Sequence, residues 1–188
     1  MILTPKTENK TKLHIGCGRN YFNGWINIDN NSDNNITKLD LNLDLRNPLP
    51  FKDDSVDFIY NEHFLEHLTA AEGLKALIEF RRVLKPGGML RISMPDLEES
   101  VNNYNNKDWI PGDCGPLGVL KTRAEYLNIC FRWWGHQWLY DWDELDRRLQ
   151  EAGFSEIKQC KLRESDIPEL VGLETRDESI LIAEAIKT

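Results

Sequence analysis

Short apolar runs broken by polar turns fill the first half of the chain. Lys12–Ile15 (KLHI) predicts a strand ending at Gly16-Cys17-Gly18, and Trp25–Ile28 (WINI) predicts a second ending at Asp29. Leu39–Leu45 (LDLNLDL) alternates with the period of two that a strand requires. Val56–Tyr60 and Met89–Met94 predict two more strands, and Glu156–Leu162 and Ser179–Ile186 predict the last two. Between them the period lengthens toward that of a helix. Thr69 with Glu72, and Thr122 with Glu125, spell capping boxes, and Asp96 and Asp141 can cap two further helices. The first helix must end before Lys85-Pro86-Gly87-Gly88, because the residue ahead of a proline is driven out of the helical region. On the Thr122 helix, Tyr126, Ile129, Cys130 and Trp133 share one face.

Strands that alternate with helices predict an α/β sheet, mainly parallel and covered on both faces. The chain reads as one domain over residues 1–188, with a loose terminus at 1–11 and an insert at 105–140. In such sheets ligands bind at the carboxyl ends of strands, where the strand order reverses. Two glycines, Gly16 and Gly18, stand after the first strand, and Asp29 stands after the second, where a carboxylate can accept ribose hydroxyls. Asp44 and Leu45 follow the third, and Asn61, Glu62 and His63 follow the fourth. Tyr21 occupies the place of the third glycine of a dinucleotide fingerprint, so a pyrophosphate cradle is not expected and a nicotinamide oxidoreductase is disfavoured.

Composition narrows the classes further. The 188 residues hold 23 Lys+Arg against 31 Asp+Glu, a net charge of −8, which argues against a nucleic-acid or anionic-membrane partner. Four cysteines, Cys17, Cys114, Cys130 and Cys160, form no Cys-x-x-Cys pair. No signal-peptide or membrane-spanning pattern is seen, so a cytoplasmic protein is expected.

The stretches LHIGCGRN (13–20), NID (27–29), LDLRNPLPFKDDSVDFIYNEHFLEHL (43–68), FRRVLKPGGMLRISMPD (80–96) and LQEAGF (149–154) carry a resemblance. The chain resembles the class I S-adenosylmethionine-dependent methyltransferases, close to the small bacterial type called methyltransferase type 11. The resemblance implies a Rossmann-like, doubly wound sheet of seven strands with an antiparallel last strand. It implies S-adenosylmethionine as cofactor: Gly16, Cys17 and Gly18 along its methionine part, Asp29 on the ribose, Asp44 with the Leu45 backbone on the adenine edge, and the Asn61 carbonyl beneath the amino group. One departure stands out. Only 11 residues (29 − 18) separate Gly18 from Asp29, which leaves little room for the usual first crossover helix. A short helical turn or an open loop carrying Tyr21 and Phe22 is expected there.

Methyl transfer to a hydroxyl benefits from a general base, and His63 and His136 are the candidates. His14, inside the first strand, reads as a packing residue. His63-Phe64-Leu65-Glu66-His67 also fits H-x-x-E-H, which zinc proteases carry within a long helix rather than at a strand tip. Some O-methyltransferases hold a metal on an acidic motif at this place. His63 stands where they have glutamate and His136 could be a fourth ligand, so a metal on His63, Glu66 and His67 stays open as an alternative; Leu-Glu-His also occurs in metal-free relatives, and no metal ligand is assigned. Trp109, Trp133, Trp134, Trp138 and Trp142, with Phe131, Tyr140, Arg123 and Arg132, are expected to be mostly core, with one or two lining the acceptor pocket. The resulting expectation is transfer to a small-molecule or sugar-linked hydroxyl by a monomer or homodimer. The alternative is a non-catalytic binding module of the same fold, motivated by the shortened first crossover.

Overall fold

A computed structural model describes residues 10–30, 35–108 and 118–188. Seven strands form one sheet in the order β3-β2-β1-β4-β5-β7-β6. They are β1 (Lys12–Ile15), β2 (Ile26–Asp29), β3 (Leu41–Asn42), β4 (Val56–Glu62), β5 (Leu84–Met94), β6 (Ser155–Gln159) and β7 (Leu181–Ile186). β1 to β5 run parallel, and β7 lies antiparallel between β5 and β6. The alternating Leu39–Leu45 stretch gives only the two-residue edge strand β3. Leu45 leaves the sheet to join the main core with Leu49, and the Leu43 side chain packs against it, so the alternation serves a packed loop more than a ladder.

Four helices accompany the sheet: α1 (Ala70–Val83), α2 (Leu97–Asn105), α3 (Arg123–Arg132) and α4 (Trp142–Glu151). The capping residues act as their types dictate. Thr69 accepts the Glu72 amide while Glu72 accepts the Thr69 amide, and Thr122 and Glu125 repeat the arrangement. Asp96 and Asp141 cap α2 and α4. α1 turns Ala76, Leu77, Phe80 and Val83 inward at helical spacing, and α4 adds Leu145 and Leu149. These residues meet Leu13, Ile15, Ile28, Ile59, Leu90 and Ile92 on one face of the sheet. The chain then leaves α1 through a bulge at Lys85–Gly88, where Gly87 has φ +77°.

On the other face no α-helix residue joins the second apolar cluster among the described residues; the 3-10 turn Pro168–Leu170 sets Leu170 against it. Residues 16–25 cross from β1 to β2 as an open loop, the outcome the short spacing allowed. Asn27, fully buried, takes over the fastening: its Oδ1 accepts from the Phe22 amide at 2.8 Å, and its Nδ2 donates to the Phe22 and Trp25 carbonyls, each at 3.0 Å. Phe22 stacks on His14 (4.2 Å between centroids) and, with Trp25, Tyr60, Phe58 and Leu170, forms a second small apolar cluster. The β6–β7 connection roofs the rest. Arg91, fully buried on β5, donates from Nε to Glu174 of that connection at 2.6 Å and from Nη1 to Glu184 of β7 at 2.5 Å. Coverage on both faces is thus met by helices on one side and by irregular chain on the other.

Two expectations are corrected. Lys10 and Thr11, within the terminus expected to be loose, are held by Glu169 and by Asp57; residues 1–9 lie outside the described residues. The aromatic insert is mostly not core. Tyr140 is fully buried and Trp142 packs against the main cluster, but Phe131, Trp133, Trp134 and Trp138 are exposed. α3 buries none of its residues, because it packs on α2 and the two form a ledge beside the sheet. Trp109 and Cys114 lie outside the described residues.

Candidate active site

The carboxyl ends of β1, β2, β3 and β4 surround a cavity of about 810 Å³, at the point where the order turns from β1 to both β2 and β4. Gly16, Cys17, Gly18, Asp29, Asp44 and Leu45 all line it. Gly16 and Gly18 have φ of +66° and +53°, a region that favours glycine. A Cβ at Gly16 would lie 3.0 Å from the Phe64 side chain, so the loop after β4 presses directly on this turn. Nothing lies within 4 Å of a Cβ placed on Gly18, so that backbone faces open space. Asp29 is oriented by two amides: Oδ2 accepts from Gly18 at 2.7 Å and Oδ1 from Asn30 at 2.6 Å. A carboxylate has about four lone-pair sites, so capacity for ligand hydroxyls remains.

Asp44 is held differently. Arg46 donates to it from Nε at 2.9 Å and from Nη2 at 2.7 Å, and this pairing brings the carboxyl down to about 2. The carboxylate therefore stays ionised, with its best lone pairs turned to Arg46. Burial, reinforced by the Asp29 charge, pushes the Cys17 thiol up to about 12, which makes it a neutral wall of the cavity and not a nucleophile. Asn61 does not line the cavity. Its side chain is fully buried with neither polar atom hydrogen-bonded, and the residue contributes as a strand position beneath the floor.

A second cavity of about 600 Å³ adjoins the first, and His63, His67 and Arg176 border both. The 105–140 insert supplies Tyr126, Cys130, Trp134 and His136 to its wall. Trp134 is the insert tryptophan that reaches a cavity among the described residues. His63 sits at the tip of β4 with φ +52°, a left-handed conformation that histidine adopts more readily than most residues. Its Nε2 lies 3.0 Å from Ser179 Oγ, which in turn donates to Glu62 Oε1 at 2.7 Å. With the serine proton directed to a carboxylate, His63 Nε2 must donate to the serine, leaving Nδ1 turned toward Glu66 Oε1 at 3.1 Å. The Nδ1 of His136 lies 2.8 Å from the Cys130 carbonyl and so carries the proton, which leaves Nε2 with a free lone pair. Burial pushes the His67 imidazole below its ordinary value.

Sequence reasoning missed the β6–β7 contribution. Glu62, 7% exposed, accepts from the Thr175 and Arg176 amides and from the Thr175 and Ser179 hydroxyls, and this brings Thr175 and Arg176 into the first cavity. The polar 163–178 stretch carries no pattern that announces it; only the place of Glu62 at a strand tip does.

Residues 30–92 match the family model described as a methyltransferase domain. A Mycobacterium tuberculosis protein named as a probable S-adenosylmethionine-dependent methyltransferase is 31% identical over 114 residues, which is 61% of this chain and 32% of that one. The chain spans a fifth to a third of the length of the curated relatives it matches. Among solved structures, a Thermotoga maritima S-adenosylmethionine-dependent methyltransferase, titled a possible histamine N-methyltransferase, superposes with a TM-score of 0.61 at 21% identity, covering 99% of this chain and 84% of that one. A Haloferax volcanii methyltransferase in complex with its Trm112 activator gives 0.54 at 21% identity, over 97% and 84%. Residues 30–92 thus resemble a methyltransferase domain, carried on a sheet that the solved S-adenosylmethionine-dependent methyltransferases share, and S-adenosylmethionine is the cofactor this likeness implies. The residues fit that group. An open glycine turn, an amide-oriented Asp29 and a cavity without a phosphate cradle suit a nucleoside joined to an amino acid. Among the described residues, no helix is long and apolar enough to cross a membrane.

Proposed function

We propose that this chain transfers a methyl group to a hydroxyl of a small-molecule or sugar-linked acceptor, which is held in the second cavity. The observation that carries this reading is the junction of the two cavities at His63, His67 and Arg176. Bound S-adenosylmethionine supplies the electrophilic methyl. Gly16, Gly18 and Asp29 hold it from the β1 and β2 ends. Asp44 and Leu45 flank its adenine side once Arg46, exposed and able to swing, shares the carboxylate. Asn61, a buried strand position, supports the site from beneath without lining it. Trp134 and Tyr126 give the acceptor flat apolar surface, and Arg176 offers a cation to its polar groups. His63 Nε2 is engaged by Ser179 and its Nδ1 faces the buried Glu66 carboxylate, so the open lone pair of His136 Nε2 is the group that takes the hydroxyl proton. The acidic surface disfavours a large polyanionic acceptor.

Calorimetric titration with S-adenosylmethionine tests the first half. Asp29→Ala removes charge-assisted hydrogen bonds and should weaken binding about 10–100-fold. No binding by the wild type, or unchanged binding by the variant, overturns the reading. Labelled cofactor incubated with sugar and small-molecule libraries tests the second half through the methylated product. A second reading, a partner-binding module of the same fold, is favoured by the exposed Phe131, Trp133 and Trp138. Cofactor binding with no labelled product from any library would select it.

A further inference from the structure

Helix α3 lies on α2 through one face only. Arg123 and Tyr126 turn toward α2: Arg123 Nη1 donates to the Tyr104 carbonyl at 2.8 Å, and the Asn103 amide donates to the Tyr126 hydroxyl at 3.4 Å. Ala124, Glu125, Asn128, Phe131 and Arg132 form the opposite stripe at helical spacing, and all five are exposed. Phe131 is 45% exposed, and Trp133, just past the helix end, is 48% exposed. Large aromatic rings left side by side in water mark an interaction surface.

The charges say what covers it. Glu125 Oε2 accepts the Lys121 and Thr122 amides at 2.7 and 3.2 Å, which leaves Oε1 for another donor. Arg132 stands two turns further on, about 10.5 Å along the axis, and forms no ion pair among the described residues. A stripe that is negative at one end and positive at the other is complementary to its own reverse. When a second α3 lies antiparallel on it, with the two-fold axis at Asn128, Arg132 and the partner's Glu125 differ by about 1.5 Å along the axis, and symmetry repeats the pair. Ala124, being small, leaves room for the stem of the partner's Arg132. A parallel pairing sets Glu125 on Glu125 and Arg132 on Arg132, so charge selects the antiparallel one. A bilayer surface offers Arg132 a phosphate but sets Glu125 against like charge, in a chain of net charge −8.

We infer that this chain forms a two-fold dimer through α3, antiparallel about Asn128, with reciprocal Arg132–Glu125 ion pairs and the Phe131 rings on either side of the axis. A groove of about 430 Å³, lined by Leu127, Asn128, Phe131, Arg132, His136 and Gln137, opens on this face. The partner's Glu125 end covers it. His136 also lines the second cavity, so the pairing backs the wall that carries it. The interface does not rest on the methyl-transfer reading. A helix of 10 residues spans about 15 Å, so the contact belongs at the small end of specific interfaces and micromolar association is expected.

The test is sedimentation velocity on the full chain from about 1 to 200 μM. The expected result is a concentration-dependent shift from monomer to dimer, with a dissociation constant of about 1–50 μM. Arg132→Glu sets a carboxylate against the partner's Glu125 and should weaken dimerisation at least about tenfold. Phe131→Ser should do so as well, and both variants should keep the wild-type circular dichroism and S-adenosylmethionine affinity. Asn128→Cys should give a crosslinked dimer with a short bismaleimide, well above the wild-type level that Cys130 and Cys160 set, whereas Lys75→Cys on the exposed side of α1 should not. A chain that stays monomeric to about 200 μM, or a dimer that survives both variants and does not crosslink at position 128, overturns the interface. A monomer that co-sediments with phosphatidylcholine–phosphatidylglycerol vesicles overturns it too and assigns the stripe to a bilayer. The expected dimer without S-adenosylmethionine binding would count against the methyl-transfer reading alone and leave the interface standing.

Discussion

Replacing Glu62 by glutamine should loosen the connection that roofs one face of the sheet. The carboxylate accepts from the Thr175 amide at 2.9 Å, the Arg176 amide at 3.1 Å, the Ser179 hydroxyl at 2.7 Å and the Thr175 hydroxyl at 2.5 Å. Hydrogen bonds to a charged group contribute about 1.5–3 kcal/mol each, against about 0.5–1.5 for neutral ones. Glutamine keeps one acceptor oxygen and turns an amino group toward the Thr175 donors. Losing charge assistance at four contacts gives about 4–6 kcal/mol before relaxation, and relaxation of an edge loop reduces this to about 2–3. For a chain of this size each kcal/mol moves the melting temperature by about 2–4 °C, so Glu62→Gln should melt about 4–12 °C lower. Thermal unfolding by circular dichroism reads the total. Amide hydrogen exchange reads the place: Thr175 and Arg176 should lose protection while β4 and β5 keep theirs. A melting temperature within about 1 °C of wild type, with exchange at 175–179 unchanged, would refute the claim that one carboxylate organises the roof.

Two further predictions follow from buried groups. His14 is 2% exposed, and burial, only partly offset by its Asn27 hydrogen bond, lowers its pKa from 6.5 to about 4. Between those values the unfolded chain binds a proton that the folded chain does not, so stability should fall by up to about 3 kcal/mol as pH drops through that window. Urea midpoints at pH 7 and 4.5 should converge in His14→Gln; an identical pH slope in both proteins counts against this. In α1, a Cβ on Gly73 would meet the Tyr140 hydroxyl at 2.7 Å, so Gly73→Ala should destabilise by about 1–3 kcal/mol despite its better helix propensity. That hydroxyl makes no hydrogen bond among the described residues and the ring carbon behind it is 4.0 Å away, so Tyr140→Phe in the same chain should restore stability; absence of rescue would show that the clash is not the cause.

The helices were legible because their starts are local chemistry. Thr69-x-x-Glu72 and Thr122-x-x-Glu125 fix their ends within a few residues, and the structure realises both boxes. The first cavity was legible because parallel strands deliver their following residues to one edge, so Gly16, Asp29, Asp44 and His63 converge whatever lies between them. The alternation at Leu39–Leu45 misled because period two says only that every other residue is apolar. Here Leu43 and Leu45 pack on the main core from a loop, and only Leu41 and Asn42 join the ladder. The exposed tryptophans misled because hydrophobicity does not say whether a neighbour exists to cover it. Arg91, Glu174 and Glu184 carried no local signal at all: their pairing spans 83 and 93 residues.

The two faces of the sheet are secured by different kinds of contact, and this has a thermal consequence. The helical side is held by hydrocarbon burial, which strengthens from the cold toward room temperature and carries a large heat-capacity change. The roofed side has a smaller apolar cluster around Trp25, Phe58, Tyr60 and Leu170, and relies more on the polar fastenings of Asn27, Glu62 and the Arg91 pairs. Its release therefore carries a smaller heat-capacity change than that of the helical side, so cooling weakens the wall of the first cavity less than the layer behind it. Warming should free that wall before the helices let go, and ligand affinity should decline at temperatures where the protein still counts as folded.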